Sequence, residues 1–266
     1  MKKLSIFAVA IAALAFTACG GNKSTQPADE ADSVKTFEQE QVEAKIKMEL
    51  DSLAAEVGKL KQLPFIQTGE NGIKLTEQEK QVKPEYLIAP SVAENATTLA
   101  EKYRMLSALS VDKGIAALYD MPTADYEAAI AKLVADINDP SFKDIEAATL
   151  YETGQKLYDA MNENGRINYF WQMAAGTLVE DIYAMSQNTD KFLTAFNDEA
   201  AANVTYRIVL LSDAVKRLAE YDSDFAPVAK AIEALEPLNA ETVDQLKSQL
   251  AETKDKIAEA RNALIK

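Results

Sequence analysis

Three short stretches carry residue types that could do chemistry. Ser110-Val111-Asp112-Lys113 has the S-x-x-K spacing of serine acylases, in which a lysine helps a seryl nucleophile. Such enzymes also carry S-D-N and K-T-G motifs, and nothing downstream resembles them. Ser110 and Lys113 are therefore expected on a helix surface. Asp136-Ile137-Asn138-Asp139 hints at a calcium loop. An EF-hand needs oxygen ligands at its first, third and fifth positions and glycine at its sixth. Pro140 and Ser141 stand at the fifth and sixth, so the stretch is better read as the end of a helix. Glu180 and Asp181 are the third candidate. Asp181 falls between Phe170 and Ala174 on a helical wheel, inside an apolar face. An unpaired charge there would be very costly, so it must be paired or protonated. Glu152 and Asp159 on the preceding helix could form a carboxylate cluster with it. A ferritin-like di-iron site, however, uses Glu-x-x-His, and the chain has no histidine. A buried ion pair between Asp181 and Arg207 is the expectation, because Arg207 adjoins the apolar positions Val204 and Ile208. Tyr169, Trp171 and Tyr183 could line a pocket, but aromatics at helical spacing are more often core.

Composition narrows the classes. The 266 residues hold 48% hydrophobic side chains, enough for one sizeable core. The net charge of −14 lacks the basic patch that phosphate binding needs, so nucleic acid is not an expected partner. Without histidine the commonest general base and metal ligand is missing. The one cysteine, Cys19, cannot make an internal disulfide or a Cys-based zinc site. We expect no metal, no cofactor and no enzyme.

The elements that would position these residues are helical. Arg166–Gln187 is apolar on nearly every side and holds the only tryptophan, so it should be enclosed by other helices. Asn168, Gln172, Glu180 and Asp181 argue against a membrane span. Residues 37–62 carry a heptad seam, Ile46, Leu50, Leu53, Val57 and Leu60, stopped by Pro64. Residues 64–90 form an irregular connector with Thr76-Glu77-Gln78-Glu79 as a capping box for a helix over 77–82. Further helices are expected from Leu99 to Leu118, with a kink at Gly114, and over 124–137, 144–162, 190–196, 198–221 and 227–235. The last, 240–265, repeats the heptad habit with Val243, Leu246, Leu250, Ile257 and Leu264. The best strand candidate, Pro64–Gln67, is too short to build a sheet. The fold class is all-α: a single multi-helix bundle over 37–266, with a main body from 91 and heptad seams on both terminal helices.

The N-terminus resembles a lipoprotein leader. Met1-Lys2-Lys3 is a positive region, Leu4–Phe16 a short apolar one, and Thr17-Ala18 gives small residues before Cys19. The apolar run is too short to span a bilayer. FTAC followed by Gly20-Gly21 resembles a bacterial lipobox, with Phe16 where leucine is preferred. That resemblance implies a signal peptide over 1–18 and lipidation at Cys19. Several acyl chains, at about 0.8 kcal/mol per buried CH₂, would anchor the protein firmly. Residues 20–36 are small and polar, a flexible tether reaching about 20–25 Å on average. Asp32-Ser33-Val34 and Asp51-Ser52-Leu53 resemble the Bacteroidota O-glycosylation sequon, which makes Ser33 and Ser52 candidate acceptors.

PEYLIAPS, TTLAEKYRMLSALSVDKGIAALYDMP, AKLVADINDPSF, NENGR and EDIYAMSQN, all within 84–190, resemble a family of uncharacterised all-helical lipoproteins of Bacteroidota. The resemblance implies localisation and fold, and it supplies no active-site residue. Surface-exported lipoproteins of that group carry acidic residues directly after the lipidated cysteine. Here acids begin only at Asp29, which implies the periplasmic face of the outer membrane. The expected function is a non-catalytic binding or scaffolding role toward another envelope protein. The alternative is a small-molecule site around Trp171.

Overall fold

We describe a computed structural model of the chain over residues 37–57, 59–60, 63–67, 72–142 and 150–265. The leader, Cys19, the tether and Ser33 lie outside the described residues. Ten α-helices are described: α1 (Phe37–Val57), α2 (Glu77–Gln81), α3 (Leu99–Leu118), α4 (Ala124–Ile137), α5 (Leu150–Glu163), α6 (Ile167–Gln187), α7 (Thr189–Phe192), α8 (Asp198–Ala219), α9 (Ala226–Glu233) and α10 (Val243–Leu264). No strand occurs among the described residues, and the protein is an all-α bundle.

Helix α6 is the axis. From Phe170 to Ser186 every residue but Tyr183 is buried, and α3, α5, α8, α9 and α10 pack around it. Burial on all sides follows from its all-round apolar pattern. None of the described helices is long and apolar enough to cross a membrane. Its tightest neighbour is α3. A Cβ at Gly176 would stand 2.5 Å from Ser107 Oγ and 3.1 Å from the Arg104 carbonyl oxygen. The two backbones meet where the side chain is smallest. Beside this crossing Arg104 donates to Gln172 Oε1 at 2.7 Å, and Gln172 donates to the Asp224 carbonyl at 3.2 Å. These bonds satisfy polar groups that the crossing encloses.

Local signals set the helix ends. Thr76, Thr98 and Thr242 each close a capping box, with Glu79, Glu101 and Gln245 returning to the cap backbone. The carboxylate of Glu101 accepts from the Thr97 and Thr98 amides, which holds its pKa down at about 2. Thr123 instead turns its hydroxyl to Glu127 and leaves the α4 backbone uncapped. Asn138 and Gly165 take the left-handed conformation that ends α4 and the α5 segment. Helix α3 runs through Gly114 without a break, because that residue is exposed and meets nothing.

Both terminal seams are used within the bundle. On α1, Leu50, Ala54 and Val57 are buried against α8 and α5. The helix stops at Val57, sooner than its heptads suggest, although Leu60 is still buried beyond it. On α10, Leu246, Leu250, Thr253, Ile257, Ala260 and Leu264 form the buried stripe against α6 and α9. Pro64–Ile66 is a 3-10 turn rather than a strand, and Phe65 stacks on Phe192 at 4.9 Å.

Candidate functional site

The sequence singles out SVDK for its ends, but its interior aspartate has the consequential position. Ser110 is half-buried and donates back to the Leu106 carbonyl at 2.8 Å. Lys113 pairs with Glu127 at 3.4 Å on the surface. Asp112 lies on the opposite side of α3, between buried Ala108 and Leu109 on one turn and Ile115 and Ala116 on the next, and is 0% exposed.

There it meets Glu180, also 0% exposed, which α6 brings from the other side of the interface. Arg261 of α10 completes the cluster. Its Nε donates to Glu180 Oε2 at 3.0 Å and its Nη2 to Oε1 at 3.1 Å, a two-pronged match of guanidinium to carboxylate. The same guanidinium lies over the Tyr183 ring at 4.6 Å from its centre. The connector joins in from outside. The Ile88 amide donates to Asp112 Oδ2 at 2.6 Å, and the Tyr126 hydroxyl of α4 donates to the Ile88 carbonyl at 2.9 Å. Arg261 Nη2 also reaches the Tyr86 carbonyl at 3.5 Å.

Two fully buried carboxyl groups therefore lie near one guanidinium, which bonds Glu180 and acts on Asp112 through its charge alone. Burial pushes the Asp112 carboxyl well above its ordinary range, and the charge on Glu180 pushes the same way. Burial raises the Glu180 carboxyl as well, against the opposing pull of Arg261 and of the bond with Asp112. Burial works against the charged form of Arg261, but Glu180 outweighs it and holds the guanidinium above its usual pKa. The phenols around the cluster are also raised, chiefly by burial, with Tyr126 at about 12. Chemically the cluster can hold a proton and clamp three helices and the connector.

The other expected residues are dispersed. Trp171 is fully enclosed, edge-on to Phe170 at 5.3 Å. Tyr169 stacks on Tyr103 at 4.6 Å near the start of α6, while Tyr183 meets Tyr86 and Arg261 near its end. Fourteen residues of helix put those two tyrosines about 21 Å apart, too far to line one small pocket together. Asp181 and Arg207 are both enclosed, on helices that pack together, and Arg207 Nε donates to Asn203 at 2.7 Å. Asp159 is exposed and bonds Gln155, so it does not join the α6 acids, and the Glu152 side chain lies outside the described residues. Asp139 caps the turn after α4, accepting from the Ser141 amide at 2.8 Å and from Tyr103, as helix termination requires. Ser52 is exposed on α1 and donates to the Met48 carbonyl at 3.1 Å.

Sequence reasoning missed Asp112, Arg261 and Tyr86. The signal for the first two was present: each interrupts an apolar stripe, Asp112 after Leu109 and Arg261 between Ile257 and Leu264. What periodicity could not supply was their partner.

The surface offers open clefts. One, of about 570 Å³, lies between the connector and the bundle. Leu75, Glu79, Val82, Lys83 and Tyr86 form the connector wall, and Tyr119, Asn188 and Lys191 the bundle wall. Lys191 pairs with Glu79 at 2.7 Å, Lys83 donates to the Tyr119 carbonyl at 2.7 Å, and Asn188 donates to the Tyr119 hydroxyl at 2.7 Å. Val82 is one of the most exposed large apolar residues. Tyr86 separates this cleft from the buried acids.

Comparison with protein-family models, curated proteins and solved structures returns no match.

Proposed function

We propose that this chain is a membrane-anchored lipoprotein, held by lipid on Cys19 at the periplasmic face of the outer membrane. In that setting it binds or scaffolds another envelope protein without catalysing a reaction. The leader layout and the cysteine after Thr17-Ala18 support the anchor. The observation that carries the binding role is the contrast between interior and cleft. Glu180 and Asp112 are enclosed, and the partly exposed Arg261 is spent on Glu180. The connector cleft instead is open to solvent and presents exposed Val82 beside Tyr86, with Lys83 and Lys191 bonded to Tyr119 and Glu79 across it. Trp171, fully enclosed, lines none of the three described clefts, so the partner reading is preferred to a ligand held around it.

Two measurements test this. Cys19→Ala should move the protein from the membrane to the soluble fraction after export; an exported variant that stays integrally bound would show that something other than lipid holds it. A photo-reactive side chain at Val82 should crosslink a defined envelope protein in intact membranes, while one at exposed Glu259 on α10 should not. Equal capture from both positions, or none from Val82, would remove the cleft as the docking place.

A further inference from the structure

The hydrogen bonds of the Asp112 carboxyl define its protonation state. Oδ2 accepts from the Ile88 amide. Oδ1 is buried and finds no amide, amine or hydroxyl partner. Within hydrogen-bonding reach of the Asp112 carboxyl is the carboxyl of Glu180. Two oxygens of two carboxyl groups can bond only if a proton lies between them. Glu180 already accepts twice from Arg261, so the proton resides on Asp112. Facing this pair are Arg261 from α10, Tyr86 from the connector, Tyr126 from α4 and Tyr183 from α6. Arg261 is the cation among them, and one guanidinium neutralises one carboxylate.

We propose that the proton shared by Asp112 and Glu180 is a latch: it holds connector residues 82–90 against the bundle, and its loss lets the connector lift and the cleft beside it widen. The weak element is identifiable. Helices α3 and α6 are interlocked at Gly176 and along their apolar faces, and a second negative charge will not part them. The connector has little regular structure here. It is held by the buried Ile88 side chain with Tyr86 and Leu87 packed beside it, by the Ile88 amide and carbonyl, by the long contact at the Tyr86 carbonyl, and by the Lys83 bond to Tyr119. Local opening is drawn from such thinly held segments. The Ile88 bond favours the charged carboxylate and resists opening, but burial and Glu180 outweigh it, and opening admits water to Asp112 and relieves both. Because the connector supplies one wall of the cleft, the proton also sets the shape of that wall, whatever the cleft binds.

The sign follows from linkage. Asp112 has a raised pKa when latched and an ordinary one, about 3.9, when open to water. The latch is therefore fully favoured below that ordinary value and weakens as pH rises towards the raised one. Across this window opening should grow about tenfold per pH unit and then level off.

Hydrogen exchange on the full chain tests the latch, with protection factors corrected for the pH dependence of intrinsic exchange. In the wild type, protection of the Ile88 amide region should fall with rising pH while that of α6 stays constant. Asp112→Asn preserves the acceptor for Ile88 and can donate to Glu180 without titrating. In that variant the connector should stay protected across the range. A wild-type connector whose protection is independent of pH overturns the proposal, and so does one whose pH dependence survives in Asp112→Asn. Should that variant not fold, the wild-type infrared spectrum still decides. A protonated-carboxyl C=O band that fades over the same pH window supports the latch, and its absence at every pH sinks it.

Discussion

The two halves of α6 are both buried, Tyr183 apart, and are held by different physics. From Phe170 to Gly176 the helix is fixed by shape: Phe170 against Tyr158 of α5, and glycine against the α3 backbone. From Glu180 to Tyr183 it is fixed by charge, with Arg261 clasping Glu180 and Asp112 holding a proton beside it. Burial alone does not distinguish the halves. They should differ in how damage responds to pH. A lost volume costs the same whatever the proton concentration, whereas a lost counter-ion can be replaced by a proton.

The largest effect is expected in the shape half. Trp171→Ala should cost about 3–5 kcal/mol through lost burial and the cavity left behind. Domains have only about 5–15 kcal/mol to lose, so the melting temperature should drop sharply or folding fail. The loss should be the same in mildly acidic and mildly alkaline buffer. A loss that varied strongly with pH would erase the distinction between the halves.

Arg261→Leu probes the charge half. It strands Glu180 in the interior, and breaking a buried pair this way costs roughly 3–5 kcal/mol. Without its cation Glu180 should titrate higher still. The folded state would then keep a proton that the unfolded state releases, so the loss should shrink as pH falls toward the ordinary carboxyl range. Adding Glu180→Met to Arg261→Leu should recover part of the stability, since a pair removed together is often near neutral. Melts of both variants at two pH values check this; a pH-independent Arg261→Leu deficit would show that the arginine acts by packing alone.

The smallest of the three is Gly176→Ala. The added methyl must displace Ser107 Oγ and press on the Arg104 carbonyl. Overpacking of this kind costs about 1–3 kcal/mol. Since α3 also carries Asp112, the push should propagate along the helix. Ser107→Ala in the same chain should return part of the loss, because it removes the nearest obstacle. If Gly176→Ala alone melts like wild type, the crossing is looser than its geometry implies.

Most of the fold was legible because helices announce themselves locally. Thr76 caps α2 where its capping box predicts, and α8 and α10 bury the stripes their spacing dictates, while Thr98 and Thr242 cap by the same pattern without having been singled out. The misreadings lie where tertiary contacts decide. Pro64–Gln67 looked extended, but Phe65 needed Phe192, and a 3-10 turn delivers it. Gly114 raised the expectation of a kink, yet on the exposed side of α3 a glycine costs some helix propensity and nothing else. The candidate site was half legible. Glu180 and Asp181 drew notice as acids in an apolar helix, and that reasoning applied to Asp112 would have found the second carboxyl. Arg261 lies 81 residues beyond Glu180, and no periodicity joins them.

That separation also orders the assembly of the molecule. A chain that emerges from its N-terminus exposes α3 and α6 before α10. The counter-ion, 81 residues beyond Glu180, is the last of the three groups to emerge. Before it does, the close contact of Gly176 with the α3 backbone can form, because it needs no group from α10. The Glu180 half has two acids and no cation, and it must remain wet or take up a second proton. Maturation thus ends with the arrival of α10, and a chain stalled before that helix would present its unfinished interior at the acidic end of α6.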